Sequence, residues 1–334
     1  MGFSEFSKRL TMLDAGRCES QECIAPWLAV AACAAMALLY VGFLYVPTVV
    51  LRLPPPASLR HYMLRRFASA VSATGLALVL SYLLLLSIEK NTTNVPIFWV
   101  DAFGIRSSGW IQAIVFPLLL TGLLYLGPLT MAASEAYEDW RESYSVNLHS
   151  SGGQCSEHGP WGALDNMKLL ASDVLAWRTY VMAPLTEEIV FRACMIPILL
   201  CGGFQLITII IFCPLFFGLA HVNHFWELIH FQNFDKKRAF LVVGAQLGYT
   251  TVFGWYASFL YLRTGSILSP LAAHVFCNIM GFPDLPGHFE RRGLTLMLFL
   301  GIFSFFSMLK PLTQPHLYNN LSDVCCCWMG FCKW

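Results

Sequence analysis

The stretch Pro184-Leu185-Thr186-Glu187-Glu188-Ile189-Val190-Phe191-Arg192 sets two adjacent carboxylates and an arginine between apolar runs at 181–185 and 189–200. At the centre of a bilayer each such charge costs roughly 2.5–3.5 kcal/mol, so three unpaired ones approach ~10 kcal/mol. A chain keeps this arrangement only if the charges pair or line a wet cavity. Glu188 and Arg192 stand four residues apart, neighbours on one helix face, and can neutralise each other. Glu187 is turned about 100° away from that pair and is left over for chemistry.

Around this stretch the composition decides the class. Of the 334 residues 57% are hydrophobic and 12% charged, against about 25% charged in soluble domains. The chain reads as all-α, a polytopic transmembrane helical bundle of about eight spans with a catalytic cavity inside the membrane. A formal net charge of +1 and the lack of a basic tail argue against nucleic acid as a partner. The first 25 residues carry both charge signs and no apolar core segment, so no cleaved signal peptide is expected. Five of the twelve cysteines (33, 194, 201, 213 and 277) sit in apolar runs as small hydrophobes, and no CxxC pair points to zinc.

Spans of about 20 apolar residues fall at roughly 27–50, 67–88 and 110–131, and shorter ones at 170–185, 189–202, 204–221, 241–262, 266–282 and 294–310. Three parts follow: N-terminal spans and a loop over 1–169, a catalytic core over 170–310 and a cysteine-rich tail over 311–334. Arg52, Arg60, Arg65 and Arg66 mark the first loop as cytoplasmic, and Lys236-Lys237-Arg238 reads as a second cytoplasmic anchor. The sequon at Asn91-Thr92-Thr93 then falls on the opposite, luminal side. A luminal C-terminus would make Asn320-Leu321-Ser322 a second sequon. Palmitoylation of Cys325 to Cys327 would demand a cytosolic one. The span count leaves that choice open.

Two further polar clusters lie in the short helices. His221 closes the run Phe217-Gly218-Leu219-Ala220-His221, with His224 one turn on; His274 and Asn278 share a face at i and i+4. Gly218 allows close helix approach. A carboxylate beside a histidine can polarise a water and take its proton. A histidine and an asparagine on one face can donate to the oxyanion of a tetrahedral intermediate. Each has a plainer reading too: His221 as a satisfied core histidine, Asn278 as interhelical glue, and Glu188 with Arg192 as a structural ion pair. Neither HExxH nor GxSxG occurs.

Glu187-Glu188-x-x-x-Arg192, Phe217-x-x-x-His221 and His274-x-x-x-Asn278, in this order on hydrophobic segments, resemble the type II CAAX prenyl endopeptidases of the Abi (CPBP) membrane protease group. The matching region runs from about Leu170 to Met308. The resemblance implies a multi-pass protein of the endoplasmic reticulum membrane whose cavity opens to the cytosol. It implies removal of the aaX tripeptide from farnesylated or geranylgeranylated CaaX proteins, such as small GTPases. By the same resemblance Glu187 and His221 activate the water, His274 and Asn278 stabilise the oxyanion, and Glu188 and Arg192 shape the site. No cofactor or metal is implied, although two histidines and a glutamate also suit zinc. Two other functions stay open: a protease of the same group with a different substrate, and a non-enzymatic transporter or scaffold. The latter expects symmetry between halves, and none is visible.

Overall fold

The computed structural model describes residues 23–92, 99–149, 172–221, 235–282, 291–319 and 327–334. The N-terminal 22 residues, the Ser/Gly-rich stretch 150–159, His224, the sequon at Asn320, and Cys325 and Cys326 lie outside them, as does the side chain of Asn91. Every regular element among the described residues is helical. The main helices are α1 (Pro26–Phe43), α2 (Leu59–Thr92), α3 (Trp110–Leu124), α4 (Leu126–His149), α5 (residues 174–201), α6 (Leu206–His221), α7 (Lys236–Thr264), α8 (Leu268–Met280) and α9 (Arg292–Leu312).

Prolines set several boundaries, because the ring clashes with the carbonyl four residues back. Pro47 accounts for the end of α1 at Phe43, ahead of the expected position 50, with a wide turn following over Val46–Val50. Pro128 does the same to the span expected at 110–131. That span breaks at Tyr125, and α3 and α4 meet there at 79°.

The expected spans at 170–185 and 189–202 are in fact one helix. Its segments Val174–Trp177, Arg178–Met182, Ala183–Glu188, Ile189–Cys194 and Met195–Cys201 follow without a break, and every junction keeps right-handed helical angles. Pro184 is accommodated rather than obeyed. Over Arg178–Met182 the helix widens, and the Ala183 N–H bonds back five residues to the Arg178 carbonyl. The charged motif therefore sits in the middle of α5, not between two helices.

Helix α5 is the axis of the molecule. Its apolar flank packs in one cluster with α1, α2 and α6, built on Ala29, Met36, Ala77, Phe191, Ile196, Ile209 and Phe217. A second cluster, Tyr125, Phe253, Ala257, Leu260, Ala273 and Cys277, joins α7 and α8 to the α3–α4 corner. Three helices are long and apolar enough to cross a membrane, α1, α2 and α9, or four if the bent α3–α4 pair counts as one. The count of about eight is not reached by this measure among the described residues. Parts of α6 and α8 are apolar but short. Helix α7 is long enough at 29 residues but is not among those that meet the measure.

The described parts of the tail pack against the bundle. Asn319 is held by Arg106 at 2.7 Å and by the Thr264 carbonyl at 2.8 Å. Trp328 and Phe331 are buried, and the half-buried Cys327 lies against Cys201 at the end of α5.

Candidate active site

Glu188 is fully buried and Arg192 is 1% exposed, and Arg192 Nη1 lies 3.0 Å from Glu188 Oε1. The guanidinium also stacks over Phe217 at 5.1 Å and Phe253 at 5.9 Å; desolvated contacts of this kind are worth about 2 kcal/mol. The pair thus ties α5 to α6 and α7. Close approach of those two helices is needed for it. A Cβ at Gly254 would stand 2.6 Å from the Pro214 Cβ and 3.5 Å from Arg192 Nη2, and one at Gly218 would stand 2.7 Å from Leu247.

The same Glu188 oxygen carries a second partner. His274, on α8, sets Nδ1 2.7 Å from Glu188 Oε1. An ionised carboxylate only accepts, so Nδ1 carries the proton and donates. With the ring oriented in this way, Nε2 faces Glu187, 3.8 Å from its Oε2. That gap is too long for a direct hydrogen bond and suits a shared water. Glu187 keeps 17% of its side chain exposed. The two neighbouring carboxylates therefore do different work: Glu188 anchors, and Glu187 faces open space.

That open space has two lobes, both lined by Arg178, Ala183, Glu187 and Phe217. One, of about 760 Å³, lies against α1 and α2 and adds Tyr40, Arg66 and Phe67. The other, of about 870 Å³, lies against α7 and α8 and adds Gln246, Tyr249, His274 and Asn278. Tyr40 and Thr186 hydrogen-bond at 2.9 Å beside the first lobe.

Asn278 donates from Nδ2 to the Thr179 carbonyl at 2.8 Å. In the widened turn that carbonyl falls in register with position 184, where proline has no N–H to offer. Asn278 therefore satisfies a carbonyl that Pro184 orphans. A second N–H of the same amide is left for a ligand.

The structure brings Glu187, Glu188, Arg192, His274 and Asn278 together. It places the backbone of position 221 at the end of α6, one turn beyond the cavity-lining Phe217; the His221 side chain lies outside the described residues. Among the described residues no three metal-ligating side chains gather about a common point. Tyr40, Arg178, Gln246 and Tyr249 escaped the sequence reading, in which Arg66 serves only as a mark of the cytoplasmic side. They belong to helices far apart in the chain, and no local spacing marks them.

An all-helical membrane protein whose buried carboxylate orients an imidazole toward a second, cavity-facing carboxylate has the makings of an intramembrane hydrolase. Comparison narrows the class. The family model for the type II CAAX prenyl endopeptidase, Rce1-like, matches residues 171–280. The chain is 44% identical to CAAX prenyl protease 2 of Arabidopsis thaliana over 94% of this chain and 98% of that one. It is 37% identical to the protein of that name from Homo sapiens, over 88% and 84%, and 33% identical to the one from Rattus norvegicus, over 88% and 83%. No solved structure matches it. The chain belongs to the type II CAAX prenyl endopeptidase family.

Proposed function

We propose that this protein removes the aaX tripeptide from farnesylated or geranylgeranylated CaaX proteins, small GTPases among them, by a glutamate-type mechanism in which Glu187 activates water. The observation that carries this reading is the Glu188–His274–Glu187 arrangement: a donor bond at 2.7 Å on one side of the ring and a 3.8 Å gap on the other.

A water in that gap touches both Glu187 Oε2 and His274 Nε2. Glu187, assisted by His221, takes one of its protons as the oxygen attacks the carbonyl carbon between the prenylated cysteine and the first aliphatic residue. Charge passes to the carbonyl oxygen, which accepts from the free Asn278 N–H and from His274 when both its ring nitrogens carry protons. Collapse breaks the C–N bond, and the proton held on Glu187 goes to the departing amine. Glu188 and Arg192 keep His274 in place without touching substrate.

The substrate fits the surroundings. A lipidated cysteine lies near the bilayer surface, and its isoprenoid gains ~0.8 kcal/mol for each CH₂ that it buries. The protein then resides in the endoplasmic reticulum membrane, with the lobes open to the cytosol on the side of Arg60–Arg66 and Lys236–Arg238. The test is release of the tripeptide from a farnesylated peptide by membranes holding the protein. Glu187→Ala and His221→Ala are expected to abolish release, an unprenylated peptide is expected to stay intact, and a strong chelator is expected to leave the rate unchanged. Full activity in Glu187→Ala removes the mechanism. Loss of activity under chelation replaces it with a metalloprotease.

A further inference from the structure

The two lobes differ in charge. The lobe against α7 and α8 is neutral apart from the shared Arg178 and the site itself, whereas the lobe against α1 and α2 adds a second arginine, Arg66. Both arginines lie to one side of Glu187. Arg178 precedes it by nine residues on α5, a rise of roughly 13 Å. On α2 the Ser81 hydroxyl bonds to the Cys194 carbonyl at 3.0 Å, and earlier in both helices Arg66 and Phe67 share a lobe with Arg178 and Met182, so the two run in the same direction. Position 74 of α2 is then level with Glu187, and Arg66 lies eight residues before that level, roughly 12 Å away. The two guanidinium groups therefore converge on the same end of the same lobe. Arg66 is also held in place, since Nη1 donates to the Tyr62 hydroxyl at 2.8 Å.

Arg66 and Arg178 both line the α1–α2 lobe, and a guanidinium can donate to an anion that enters it. Three extended residues span roughly 10 Å, which is about the distance from Glu187 to this end of the lobe. A peptide cut three residues from its C-terminus carries an anion at that distance, its own free carboxylate. The geometry points to Arg66 and Arg178 as the receptor for the free C-terminal carboxylate of the substrate, with the departing tripeptide in the α1–α2 lobe. This rests on the prenyl-endopeptidase reading and adds a direction to it: the protein side of the scissile bond occupies the α7–α8 lobe. Guanidinium groups suit the task because each can present two N–H groups to one carboxylate. Recognition of the terminal carboxylate then fixes the cut at three residues from the end, as a ruler does.

The test uses the full-length protein in vesicles of neutral phosphatidylcholine, which removes anionic lipid headgroups as competitors for the arginines. Two farnesylated peptides are compared, identical except that one ends in a free carboxylate and the other in a primary amide. The wild type is expected to prefer the carboxylate peptide at least tenfold in kcat/KM. Arg66→Gln and Arg178→Gln are each expected to lower kcat/KM on the carboxylate peptide about 10- to 100-fold, mainly through KM. On the amide peptide their loss should be at least tenfold smaller, a Tm in detergent within about a degree of the wild type should show that they fold, and Arg66→Lys should recover part of the loss. An equal fall on both peptides, or equal cleavage of both by the wild type, overturns the carboxylate receptor alone. Cleavage of neither peptide by the wild type overturns the prenyl-endopeptidase reading and this inference with it.

Discussion

Glu187 and Glu188 are chemically identical neighbours that about 100° of rotation around one helix places in different environments. Glu188 has no exposure and two partners, Arg192 and His274, on one oxygen. Removing one member of such a buried set leaves an uncompensated charge and costs about 3–5 kcal/mol, while replacing a buried pair by apolar groups can be neutral. Glu188→Gln and Arg192→Met are therefore each expected to lower the Tm clearly in detergent, and the double variant to recover most of it. The double variant should still be inactive, because His274 has lost the carboxylate that orients it. Glu187→Gln should behave in the opposite way. Its side chain faces the cavity, so thermal unfolding should match the wild type while kcat falls about 10²- to 10⁴-fold. A Glu187→Gln variant that unfolds early and retains its rate would reverse the two assignments.

At the scale of the element, α5 shows how one helix carries both an ion pair and a cavity wall. Pro184 removes an N–H, the turn before it widens, and Asn278 takes up the Thr179 carbonyl. A second wide turn, Ile189–Cys194, follows directly after Glu188. Such turns are frequent at functional sites because they re-aim side chains without ending the helix. The crossing of α6 and α7 has an equally local cause at Gly254. Its Cβ position lies 2.6 Å from Pro214, and over-packing of this kind costs about 1–3 kcal/mol. Gly254→Ala is expected to lower the Tm by several degrees and to reduce activity by shifting the phenylalanine cage around Arg192. A variant as stable and active as the wild type would show that the helices can separate there without loss.

For the whole molecule, helix direction sorts the chain into two ends. Arg60, Arg178 and Lys236 lie at the starts of α2, α5 and α7; Cys201 and Thr264, at the ends of α5 and α7, both touch the tail. From position 60 to position 88 α2 rises roughly 42 Å, more than the ~30 Å of a bilayer's hydrocarbon core. Asn319 and Cys327 therefore lie at the opposite helix ends from Arg60, Arg178 and Lys236. The proposed cytosolic placement of the basic ends then predicts a luminal position for Asn319 and Cys327, and no palmitoylation of Cys327. An acceptor sequon appended after Trp334 should gain endoglycosidase-sensitive mass in microsomes, and the same sequon inserted between Leu53 and Leu59 should not. Modification of the loop instead of the tail would invert the orientation.

By itself the sequence determined the helical membrane class, since 57% hydrophobic residues leave few alternatives. It also determined which charges needed a partner, because i and i+4 spacing is a property of one helix. Tertiary structure decided what no local spacing encodes. Whether the chain breaks at Pro184 depended on Asn278, 99 residues away, being present to bond the Thr179 carbonyl. His274 became the neighbour of Glu188 rather than a free donor only because α8 packs against α5. Arg66 reads locally only as a mark of the cytoplasmic side and Arg178 carries no local signal, and only the packing of α2 beside α5 sets both around one cavity. Long-range packing, not hydropathy, divides a charge that merely marks the interface from one that lines a site.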